Sequence, residues 1–212
     1  MKEIVVFCAD VGSIKTKNFG WAYGLGIPGR GWKVYPEREE RKYQEIEKLK
    51  ESVRKFLEKG YKVALGFECP LFVPLRKNPL ELTSARKLEP MAWSASAGAG
   101  ALAVGMVEAL WLLKALKNEF NTLPPVYLSW EEFKKESLPC ILFWEAMVSK
   151  DKKGKTHVED AKNGVNAFFE KVETAQPVCE EEVFSLIGSY LLRSGWSKKL
   201  ELLKTPCIFI SA

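Results

Sequence analysis

A chain of 212 residues, 47% hydrophobic and 28% charged, has the ordinary composition of a globular protein. Its length suits one well-buried domain spanning 1–212 and is short for two, and its net charge of +5 is compatible with nucleic acid or phosphate partners without demanding them. The first residues lack the basic region, apolar core and cleavage site of a secretory signal, and Pro90–Val107, the longest uncharged stretch, is a poor membrane span because Ser and Gly break it.

The elements follow in chain order. Glu3–Ala9 (EIVVFCA) is continuously apolar after its first residue, the pattern of a strand covered on both faces. FGWAYGLGI and GWKVYP are the next two strands, joined around Pro28, Gly29 and Gly31 with the spacing of an antiparallel meander. From Glu37 to Glu58, apolar Tyr43, Ile46, Leu49, Val53, Phe56 and Leu57 recur at helical spacing among charges, and Gly60 ends that helix. YKVALGFECP returns as a buried strand, a long helix covers Arg86 to Phe120, and CILFWEAMV is a further buried strand. Helices near His157–Glu173 and Glu181–Ser194 and a short strand, PCIFIS, complete the chain. Three strands, helix, strand, helix, strand, helices is an α/β order with a mixed sheet. Cys8, Cys69, Cys140, Cys179 and Cys207 are odd in number, widely spaced and without a CxxC pair, so they read as reduced thiols of a cytoplasmic protein.

Three acids share one setting. Asp10, Glu68 and Glu145 each follow four or more apolar residues and stand near the C-terminal end of a buried strand. Catalytic groups of open α/β sheets gather at such ends, although an acid there also marks simply where a strand meets water. Adjacent strands lie about 4.8 Å apart, so neighbouring carboxylates would repel unless a cation is shared between them. Mg²⁺ or Mn²⁺ prefers oxygen ligands, and such ions activate water and stabilise the leaving oxygen at a phosphodiester.

ADVGSIKTKNFGWA followed by GFECPL resembles the RNase H-like superfamily. The nearer likeness is to a branch of uncharacterised predicted nucleases, with RuvC-type resolvases more distant. The resemblance implies a mixed sheet of order 3-2-1-4-5, its second strand antiparallel, flanked by helices. It also implies a metal-dependent nuclease in which Asp10 and Glu68 hold Mg²⁺ or Mn²⁺. The family's third acid often sits in an H-x-x-D-A string, which HVEDA (His157–Ala161) reproduces. Asp160 is therefore the first choice for the third ligand, and Glu145 the second because it repeats the strand-end pattern. RuvC-like chains instead place that ligand on the last long helix, where Ser185 replaces the expected aspartate and Glu181 and Glu182 lie one turn earlier. On a helical wheel, Val158, Ala161, Val165, Phe168 and Val172 form one stripe, His157 borders it, and Asp160 falls on the flank.

The expected partner is nucleic acid, DNA or RNA, contacted by Lys15, Lys17 and His157, with no membrane and with a homodimer left open. SASAGAGALAVG (Ser94–Gly105) lacks the Lys-Ser or Lys-Thr ending of a Walker loop; it reads first as a close-packing helix and second as a close-approach surface for a nucleic-acid backbone or phosphate. KDKKGK (Lys150–Lys155) is either a phosphate-holding run or a solvated loop. The alternative function is a non-catalytic RNase H-like module that binds nucleic acid or protein.

Overall fold

The computed structural model describes residues 3–16, 18–36, 44–87, 89, 92–148, 152–175, 180 and 182–212. Its strands are β1 (Ile4–Asp10), β2 (Gly20–Ile27), β3 (Gly31–Pro36), β4 (Lys62–Phe67), β5 (Phe72–Pro74), β6 (Val126–Tyr127), β7 (Ile141–Met147), β8 (Val183–Ser185) and β9 (Ile208–Ser211). Among the described residues, seven of them form a mixed sheet in the order β3-β2-β1-β4-β7-β6, with β9 also paired to β7. β2 runs antiparallel to both β1 and β3, while β4, β7, β6 and β9 continue parallel. The sheet is thus wider than the five strands expected. The predicted fifth strand is β7, and short strands that no periodicity announces, β5 and β6, precede it in the chain.

The apolar runs of β1, β4 and β7 are buried on both faces because helices cover both. One face carries α1 (Gln44–Glu58), α2 (Ser96–Lys117) and α5 (Leu186–Ser194), whose apolar residues meet Val5, Phe7, Leu65 and Phe143. The other carries α3 (Trp130–Lys135) and α4 (His157–Lys171), packed on Val6, Cys8, Ala64 and Trp144. α1 buries Ile46, Leu49, Val53 and Leu57 and stops at Gly60, whose φ of +87° belongs to the left-handed region that glycine adopts freely. The first part of its predicted span, 37–43, lies outside the described residues.

Two predicted helices are shorter than expected. The span from Arg86 begins its helix only at Ser96, because Arg86 is drawn into the core by buried carboxylates and residues 92–95 turn ahead of α2. The last helix begins at Leu186, since Val183–Ser185 pairs with β5 and the Ser185 hydroxyl accepts the Gly188 N–H as an N-cap. Among the described residues α2 is the one helix whose length and composition would allow a membrane crossing, and 33% of that window is buried in the protein. It is held there by α5 and the turn after it, where Trp196 Nε1 donates to Leu113 O at 2.7 Å, and by Gly105, whose missing side chain leaves room for Cys69 and Val11. Cys8, Cys69, Cys140 and Cys207 are buried free thiols, and Cys179 lies outside the described residues.

Candidate metal centre

The C-terminal ends of β1 and β4 lie side by side. Ala9 is opposite Phe67, and the Glu68 N–H donates to Ala9 O at 2.8 Å, which brings Glu68 beside Asp10. Side chains alternate along a strand, so Asp10 and Glu68 continue the parity of Cys8 and Gly66 and point toward the face covered by α4. α4 can approach closely there because Gly20, the β2 partner of Asp10, has no side chain. A Cβ at Gly20 would lie 2.6 Å from the backbone of His157 and Val158. The first turn of α4, capped by Thr156, therefore rests on the strand ends and brings Asp160 to the other two acids. Asp10, Glu68 and Asp160 each offer an oxygen, and these lie within 4.8 Å of one another.

A helical wheel puts His157 nearer the packed face than Asp160, and the structure reverses this. Asp160 is 2% exposed, because the preceding loop folds over it and the Gly154 N–H donates to its Oδ1 at 2.6 Å. His157 is more open, and its Nδ1 lies 2.5 Å from Asp10 Oδ2. Its observed contact is thus with an acid of the cluster. Lys153 Nζ stands 3.9 Å from Asp160 Oδ2, half in solvent, so the basic run reaches the acids through this lysine. Lys15 is exposed on the 3-10 turn just after β1, whereas Lys17, Lys150 and Asp151 lie outside the described residues.

The electrostatics are those of crowded, desolvated acids. Burial, joined by the charges of Asp10 and Asp160, raises the Glu68 carboxyl from 4.5 to about 9, although the Val148 N–H bonds to it. Burial also lifts Asp10 to about 6, against the pull of His157. Glu68 Oε2 is buried without a hydrogen-bond partner. An orphaned carboxylate oxygen between two further acids is a donor set that suits a hard divalent cation.

Glu145 does not join them. It pairs with Phe67, one rung short of Glu68, and so points to the opposite face of the sheet. There it accepts from Arg86 at 2.5 and 2.9 Å and from the Leu71 N–H at 2.8 Å, while Arg86 also bonds Glu89. Burial raises its carboxyl and Arg86 pulls it back. The last-helix candidates are also elsewhere: Ser185 is the cap of α5, Glu182 is exposed, and Glu181 lies outside the described residues.

One residue with a role here stands in no recognisable motif. Glu108 on α2 bonds the backbone N–H groups of Gly12 and Ile14, holding the turn that follows Asp10, and burial raises its carboxyl to about 7. Its signal was present, since Glu108 is the sole acid in the 22 residues of α2. Comparison with protein-family models, curated proteins and solved structures finds no match for the chain.

Proposed function

We propose that the protein is a divalent-cation-dependent nuclease of RNase H-like type. The observation that carries this reading is the approach of Asp10, Glu68 and Asp160 to within 4.8 Å, two of them with carboxyls raised by burial and one with an orphaned oxygen. The adjacency of β1 and β4 and the antiparallel meander β1-β2-β3 support the RNase H-like assignment. Mg²⁺ or Mn²⁺ held by these three acids would supply activation of water and neutralisation of charge on a phosphodiester.

The chain's own groups do the rest. His157 fixes the orientation of Asp10, and Glu108 holds the Gly12–Ile14 turn beneath it. Lys153, beside Asp160 and open to solvent, is placed to meet a phosphate oxygen, and exposed Lys15 extends the positive rim. Glu145 has no ligand role in this scheme, because its charge is already matched by Arg86. The test is calorimetric titration of Mn²⁺ together with cleavage of single strands, duplexes and junctions of DNA and RNA. Mn²⁺ binding and cleavage that both vanish in Asp10→Asn and Asp160→Asn uphold the proposal. Nucleic acid binding without cleavage under either metal would favour the non-catalytic module instead.

A further inference from the structure

Asp10 and Glu68 stand in the wall of a cleft of about 610 Å³, well within the range of about 300–1,000 Å³ typical of small-ligand sites, and Asp160 lies behind them. Asp10 and Asp160 are 6% and 2% exposed, so they lie below the surface. A base stacked inside an intact duplex would not enter the cleft without leaving the stack. Part of the lining is apolar, from Ala92, Trp93, Ala97, Ala101, Val104 and Met147, and the ion-paired Arg86, Glu89 and Glu145 complete it. Gly98 lets the start of α2 lie against the Trp93 backbone, where a Cβ would sit 2.6 Å from its carbonyl oxygen, so the indole is held at the cleft by the main chain.

Two residues of the lining carry buried donors without a partner, Trp93 Nε1 and Arg86 Nε, the latter in a side chain only 4% exposed. Buried indole and guanidinium N–H groups normally find acceptors. A nucleobase offers both an aromatic face for the apolar wall and ring or carbonyl acceptors for such donors. We propose that this cleft receives one unpaired nucleotide of a single strand, its base in the apolar arm beside Trp93 and its phosphate at the acids. The inference rests on the nuclease reading and specifies its substrate.

Equilibrium binding by fluorescence anisotropy tests it, with Ca²⁺ replacing Mn²⁺. The probes are a labelled single strand of about 16 nucleotides, its blunt duplex, and the same duplex with one bulged nucleotide, with AMP as competitor. The single strand and the bulge are expected to bind at least about tenfold tighter than the blunt duplex. Ala97→Trp, which fills the cleft from an exposed position, and Trp93→Ala should each bring the single strand to the duplex level while the melting temperature holds. Equal affinity for strand and duplex, or an unchanged single-strand affinity in Ala97→Trp, overturns the inference. So does AMP binding as tightly as the strand, which would mark a site for free nucleotides. Cleavage under Mg²⁺ or Mn²⁺ separates the two readings. Selective strand binding through the cleft with no cleavage sinks the nuclease alone, and cleavage indifferent to pairing sinks the cleft alone.

Discussion

Replacing Glu68 by Gln removes one charge from a crowded, buried cluster and keeps its shape. The carboxyl holds its proton to about 9 in the folded protein against an ordinary 4.5, chiefly through burial. Between those values the folded state binds a proton that the unfolded chain has released. Stability contributed by this group is therefore complete below the ordinary value and is lost as pH rises toward 9, at up to about 1.4 kcal/mol per pH unit. From 4.5 to neutrality the loss reaches at most about 3 kcal/mol, and because the cluster shares its charge, about 1–3 kcal/mol is expected. For a chain of this size about 1 kcal/mol moves the melting temperature by about 2–4 °C, so metal-free Glu68→Gln should melt about 2–12 °C above wild type at pH 7. At pH 4.5 the gain should vanish. Mn²⁺ at about a hundred times its dissociation constant should stabilise wild type by about 2.7 kcal/mol and leave the variant unchanged. Thermal melts at both pH values, with and without Mn²⁺, provide the assay. A variant that melts at or below wild type at pH 7, or that gains as much from Mn²⁺, refutes the reasoning.

Asp160→Asn should abolish Mn²⁺ binding as fully as Asp10→Asn, measured by calorimetry, because each supplies one of the three clustered oxygens. Glu145→Gln should keep Mn²⁺ affinity but lower stability by about 3 kcal/mol, since it leaves buried Arg86 with Glu89 as its remaining carboxylate. A denaturant titration beside the calorimetry checks this, and lost metal affinity in a folded Glu145→Gln would return it to the ligand set. Gly20→Ala should cost about 1–3 kcal/mol and weaken Mn²⁺ binding together, because the added methyl pushes the start of α4 away from the strand ends. Glu108→Ala should cost about 1–3 kcal/mol in denaturant titrations by leaving the Gly12 and Ile14 N–H groups unpaired.

Much of this site was legible in the residue order. Apolar runs that stop at Asp10 and Glu68 are visible without coordinates, while Asp160 is pointed to by the resemblance of HVEDA to the RNase H-like string. The α1 face and its stop at Gly60 also follow from periodicity and from the backbone freedom of glycine. Other features depended on contacts between distant segments. Glu145 carries the same strand-end pattern as Glu68, yet a strand buried on both faces has no alternation to say which way a given side chain points. Only the register, Phe67 opposite Glu145, turns it away from the clustered acids and toward Arg86. Arg86 likewise reads as a helical residue until a buried carboxylate 59 positions later draws it inward. The burial of Asp160 comes from a loop folded back on its own helix, with the Gly154 N–H on its carboxylate, which a wheel treats as open space. Local pattern reports which residues share a face. Which faces meet is decided by strand register and by glycines such as Gly20 that let backbones close, because those contacts join residues whose order along the chain carries no trace of the pairing.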